Sequence, residues 1–150
     1  MTNVILQTDI DAVPAKHGKV RDIYDLGDKL IIVASDRLSA FDVIMKSDIP
    51  YKGIILTKVS RFWFDLLADT VETHLISDDV TTFPAPFCDY PDQPGRDQES
   101  FDKQFVRNYL EEINFDKSGP GVELPEDIIQ KTSAKYIKAY EKLTGNKFEE

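Results

Sequence analysis

Two polar clusters in the first third of the chain have the residue types to handle an anion. The first is Gly18, Lys19, Val20 and Arg21. A glycine lets backbone N–H groups approach a phosphate closely, and the lysine and arginine add fixed positive charge. The spacing is not that of a Walker A loop, so it also suits a strand whose Lys19 and Arg21 are simply solvated. The second cluster is Ser35, Asp36, Arg37, Ser39 and Asp42, directly after the apolar run Leu30 to Ala34. Residues at the end of a buried strand are delivered to a cleft. Arg37 could grip a carboxylate or phosphate through two parallel hydrogen bonds. Alternatively this is a polar turn in which Asp36 and Arg37 satisfy nearby backbone groups. Lys52 precedes a helix N-terminus, where partial positive charge favours anions, and fits a solvated turn equally well. Lys103 and Arg107 lie four apart, so on a helix they share a face and could meet one phosphate or form an exposed basic pair.

Other chemistry has less support. His17 and His74 are isolated, no His/Cys/Asp/Glu set has zinc-like spacing, and both histidines read as structural or surface residues. Cys88 is the only cysteine and has no base beside it. It suggests neither a nucleophile nor an intrachain disulfide, which agrees with a reducing compartment. With no apolar run of membrane-spanning length and no signal-peptide pattern, the expected location is cytoplasmic, with no membrane partner. The net charge of −9, from 18 basic and 27 acidic residues, argues against nucleic acid, which needs a basic face. An anionic small molecule remains compatible, because a few placed cations make a local positive pocket.

These residues need elements to hold them. At 150 residues and 41% hydrophobic content, the chain suits one core. Residues 17–25 and 29–35 read as a hairpin, with Gly27-Asp28 at the turn. A third strand is expected at 42–45 and a short one at 73–77. A helix is expected over 54–68, with Ile55, Val59, Phe62, Trp63, Leu66 and Leu67 on its apolar face. Residues 78–100 contain a proline-rich stretch without periodicity. Two more helices are expected. One spans 101–113, with Ser100 as N-cap; the other spans 125–143, with Pro125 in its first turn and Gly145 past its end.

The segments GKVRDIYDL, IIVASDRLSAFDVIM, IPYKGIILTKVSRFWF and THLIS, over roughly residues 14–77, resemble the SAICAR synthetase (phosphoribosylaminoimidazole-succinocarboxamide synthase) family. So do SFDKQFVRNYLE and LPEDIIQKTSAKYIKAYEKLTG, over roughly 99–148, which in that family form the C-terminal part. The resemblance implies an α+β fold, with an N-terminal antiparallel sheet lobe and C-terminal helices. It implies three regions: a sheet-rich block at 1–77, a Pro-rich loop at 78–100 and a helical block at 101–150. It also implies nucleotide contact by Gly18, Lys19, Val20 and Arg21. Substrate contact would fall to Ser35, Asp36, Arg37, Ser39, Asp42, Lys52, Lys103 and Arg107.

The family's middle portion, with RGY-type, DTKFEFG-type and TPDSSR-type segments, is not found between these blocks. The reaction implied joins aspartate to carboxyaminoimidazole ribonucleotide with ATP and Mg²⁺, in purine biosynthesis. The substrate carboxylate is activated as an acyl phosphate, which the aspartate amine attacks. The acidic segment that holds the metal belongs to the missing middle, so Asp36, Asp42 or Asp102 would have to substitute. The alternative is a non-catalytic remnant that binds nucleotide or a protein partner, as a homo-oligomer or with a full-length relative. A third possibility is that these residues are part of a longer natural chain.

Overall fold

The computed structural model describes residues 4–11, 13–70 and 104–149. Strands β1 (Ala15–His17), β2 (Arg21–Asp25) and β3 (Leu30–Ala34) form one antiparallel sheet in that order. The β2–β3 hairpin matches the sequence expectation. Gly27 adopts φ 91° in its turn, and the Leu26 N–H donates to the Lys29 carbonyl at 2.9 Å.

A second antiparallel pair joins β4 (Arg37–Ala40) to β5 (Val43–Asp48). The expected third strand is therefore β5, longer than anticipated, and Arg37 and Ser39 of the polar cluster before it stand in a strand of their own. The two hairpin arms meet at Ala40 opposite Val43, leaving Phe41 and Asp42 as a two-residue turn. Both turn residues have positive φ, 49° and 65°. Tight hairpins require that geometry and usually obtain it from glycine or asparagine, which is why the sequence did not announce this turn.

Helix α1 (Lys52–Leu67) begins against the end of β3. A Cβ on Gly53 would lie 2.5 Å from the Ala34 carbonyl oxygen, so only glycine permits this approach. Tyr51, just before the helix, gives no side-chain cap. The cap comes from elsewhere in the sequence: Asp36 Oδ1 accepts the Gly53 N–H at 2.8 Å. This satisfies one orphan donor of the first turn and places negative charge at the positive end of the helix. The buried face of α1 is narrower than the periodicity suggests. Ile55 and Val59 are buried and Trp63 packs at the core margin, but Leu66 and Leu67 are 59% and 40% exposed. Among the described residues the helix packs on β3 and α3, and its last turn extends past that contact.

Helices α2 (Gln104–Glu112) and α3 (Glu126–Thr144) supply the remaining layer. Pro125 stands immediately before α3, one position earlier than expected. Gly145, at φ 73°, ends the helix by donating its N–H to the Glu141 carbonyl at 2.9 Å. The expected strand at 73–77, the stretch 78–100, the Ser100 cap and the first residues of the α2 region lie outside the described residues.

One core joins the early and late parts of the chain. Leu38, Met45, Ile49, Ile55 and Val59 pack with Val106, Leu110, Leu124, Ile128 and Tyr136. Residues 121–124 run alongside β5. The Lys46 N–H donates to the Val122 carbonyl at 3.0 Å, and the Leu124 N–H donates to Ser47 Oγ at 2.7 Å. No helix among the described residues is long and apolar enough to cross a membrane.

Candidate functional site

The β1–β2 connection is a tight turn in which the Gly18 N–H donates to the Arg21 carbonyl at 2.7 Å, leaving Lys19 and Val20 at its tip. The Lys19 ammonium reaches Asp42 Oδ1 at 2.8 Å. That pair links the tip of this turn to the tip of the β4–β5 turn, and both partners are exposed.

Beneath the turn lies a buried carboxylate. Asp22 is fully buried. Its Oδ1 meets Arg37 Nη2 at 2.8 Å and His17 Nδ1 at 2.9 Å. Its Oδ2 accepts both the Thr8 N–H at 2.8 Å and the Thr8 hydroxyl at 3.0 Å. Tyr24 extends the network by donating its hydroxyl to Thr8 Oγ1 at 2.7 Å. Burial by itself would push the Asp22 carboxyl up. The hydrogen bonds from Arg37, His17 and Thr8 stabilise the charged form more, and hold the pKa at about 2.

Arg37 is almost consumed by these contacts. Besides Asp22, its Nη2 donates to the Gly18 carbonyl at 3.0 Å, its Nε to the Lys19 carbonyl at 3.3 Å, and its Nη1 to the Leu6 carbonyl. Four of the five guanidinium donors thus have protein acceptors. No forked pair of donors is left for a substrate carboxylate, and the geometry matches the alternative in which Arg37 satisfies its neighbours.

An open cleft of about 390 Å³ runs past this network, lined in part by Gln7, His17, Gly18, Arg37, Lys46 and Asp48. Burial raises the Asp48 pKa, and the Asp36 charge raises it further; Arg37 and Lys52 oppose the rise. The cleft therefore holds a carboxyl that takes up a proton more readily than usual, two residues along β5 from exposed Lys46.

The remaining sequence candidates divide between the cleft and the interior. Gly18 lines the cleft, and half-buried Arg21 has its pKa lowered by burial. Asp36 is 3% exposed; besides capping α1 it accepts the Ile5 N–H on Oδ2 at 2.8 Å. Lys52 is not a solvated turn residue. It is 2% exposed and donates to the Ser35 carbonyl at 3.0 Å. Ser35 and Ser39 are buried, and Ser35 Oγ finds no hydrogen-bond partner among the described residues. Arg107 lies half-buried on α2 and does not line the cleft. Lys103 falls outside the described residues.

Sequence reasoning passed over Asp22, Lys46 and Asp48, and it set His17 aside. A signal for Asp22 was present: strand alternation puts it on the same face as Tyr24, and both are buried. Among the described residues no three His, Cys, Asp or Glu side chains gather as metal ligands, so these residues form no all-protein cation cage.

Residues 14–85 match the sequence profile of the SAICAR synthetase family. The phosphoribosylaminoimidazole-succinocarboxamide synthase of Syntrophotalea carbinolica is 54% identical over 94 residues, covering 62% of this chain and 32% of the relative. The enzyme of that name from Thermodesulfovibrio yellowstonii is 41% identical over 143 residues, covering 87% of this chain and 49% of the relative. The chain thus spans between about a third and a half of these curated relatives. A solved SAICAR synthase superposes with a TM-score of 0.80 at 22% identity, over 97% of this chain and 100% of the other. The Saccharomyces cerevisiae SAICAR-synthase complexed with SAICAR gives 0.78 at 23% identity, with the same coverage. The chain is thus similar in sequence to SAICAR synthetases over up to about half of their length, and it shares the α+β fold of the solved ones.

Proposed function

We propose that the chain carries out, or contributes to, the ATP-dependent ligation of aspartate to carboxyaminoimidazole ribonucleotide, the SAICAR-forming step of purine biosynthesis. The observation that carries this reading is the 41% identity maintained over 87% of the chain, through both the sheet and the helices. The site supports it chemically. The Gly18–Arg21 turn sits at the cleft rim, where backbone N–H groups and the Lys19 ammonium suit a nucleotide's phosphates. ATP would supply the phosphoryl group that converts the substrate carboxylate into an acyl phosphate.

The chain's own residues then have separable tasks. Lys46 provides positive charge on the wall of the cleft, and Lys19 provides it at the tip of the turn that follows cleft-lining Gly18. Asp48 lies on the same wall with its proton affinity raised, which suits a group that exchanges a proton near the amine. Buried Lys52 and Asp36 hold the start of α1 against the strands. Magnesium ligands are not assigned among the described residues, and no step is derived through the metal.

The test is ADP release by the purified chain with Mg·ATP, aspartate and the ribonucleotide. Turnover that requires both aspartate and the ribonucleotide is expected. No turnover, with a full-length relative active alongside, would refute catalysis by this chain and leave a nucleotide- or partner-binding remnant.

A further inference from the structure

Arg37 lies directly under the β1–β2 turn with its side chain only 13% exposed. It holds the carbonyls of Gly18 and Lys19 on its own side, at 3.0 and 3.3 Å. No peptide bond here is cis, and in a trans peptide the carbonyl and the following N–H point in opposite directions. Pinning these two carbonyls inward therefore turns the N–H groups of Lys19 and Val20 outward, away from the guanidinium. Asp22 fixes the guanidinium from below, and His17 and Thr8 fix Asp22.

We infer that Arg37 is a positioning residue for nucleotide binding: it sets the Gly18–Arg21 turn so that the Lys19 and Val20 N–H groups face the phosphates, and it does not touch the nucleotide itself. The inference rests on the nucleotide-binding reading above. It also assigns a reason for arginine at this position. A planar fork can serve two turn carbonyls, the Leu6 carbonyl and a carboxylate together, whereas a lysine ammonium on a flexible stem cannot hold that set.

The test uses Arg37→Lys and Arg37→Met with the unaltered chain, titrated with Mg·ATP by calorimetry at a temperature where circular dichroism shows each folded. Both variants are expected to lose at least tenfold in affinity, to similar extents. If Arg37 contacted phosphate directly, the lysine variant would keep most of the affinity. If its role were only structural, melting temperature would fall while affinity held. Amide NMR of the unaltered chain gives a readout that does not depend on the variants' folding. ATP should move the Lys19 and Val20 resonances more than those of the β2–β3 turn. ATP binding that leaves those two amides unmoved, or that is indifferent to Arg37, overturns the inference alone. Absence of ATP binding by the unaltered chain overturns the nucleotide reading as well.

Discussion

Replacing Asp22 with asparagine removes one charge from the buried network and little volume. The energetic cost follows from the titration of the carboxyl. Its pKa falls from 3.8 to about 2 on folding. At about 1.36 kcal/mol per pKa unit, that is a contribution of about 2 kcal/mol at neutral pH. The substitution does more than neutralise. The asparagine NH₂ must face either Arg37 Nη2 or the Thr8 N–H, and both are donors. Stripping the partner from a buried cation typically costs about 3–5 kcal/mol. Here Arg37 keeps its carbonyl acceptors, so a loss of about 2–3 kcal/mol is expected. The sign with pH is definite. A depressed carboxylate stabilises the fold above the unfolded pKa, and that stabilisation disappears as pH falls through the folded pKa. The unaltered chain should therefore lose about 2 kcal/mol between about pH 4 and pH 2, and Asp22→Asn should lack that component. Urea unfolding followed by Trp63 fluorescence measures both. A loss under about 1 kcal/mol at pH 7, or parallel stability curves for the two proteins through the acid range, would refute the reasoning.

Three further outcomes are expected. Lys19→Ala should lower Mg·ATP affinity about tenfold in calorimetry while leaving urea stability within about 0.5 kcal/mol, because its ion pair with Asp42 is exposed. Equal affinity would remove Lys19 from the site. Gly121→Ala should destabilise by about 3 kcal/mol, since its Cβ would sit 1.9 Å from the Ile44 carbonyl oxygen and the obstacle is backbone. Wild-type stability in denaturant would show that residues 121–124 do not lie along β5. Asp48→Asn should be at least as stable as the unaltered chain at pH 7. The Asp48 pKa is raised, so the folded state gains on the unfolded state as pH drops through it, and the amide has no such gain. A clear loss of thermal stability at pH 7 would show that the Asp48 charge is a net stabiliser.

The legible parts of the fold were those written in local pattern. The β-branched run Leu30 to Ala34 with Gly27-Asp28 before it specified a hairpin, and Pro125 and Gly145 bracketed α3. The β4–β5 hairpin was obscured because its turn uses Phe41 and Asp42 in a conformation that sequence reading assigns to glycine. The polar cluster was visible, but the destination of each side chain was not. Asp36 acts on Gly53, 17 residues away, and Arg37 acts on Leu6, 31 residues away. Such pairings depend on how the two sheets and α1 meet, which no local periodicity encodes. The same applies to Lys52, whose burial follows from α1 starting beneath the end of β3.

The seam between residues 121–124 and β5 bears on how this architecture accommodates change in length. Lys46 bonds to Val122, and Ser47 to Leu124 across 77 positions, so β5 is flanked by a part of the chain remote in sequence. The entropy of closing such a loop rises only logarithmically, by about 0.6 kcal/mol for each doubling of its length. The connection between α1 and α2 could therefore lengthen several-fold at a thermodynamic cost comparable to one surface hydrogen bond. The core of Leu38, Met45, Val106, Leu110 and Tyr136 does not require a particular span between its halves. Relatives about twice as long can share this core for that reason: length added between its halves costs little closure entropy and leaves the packing to be settled where the halves meet.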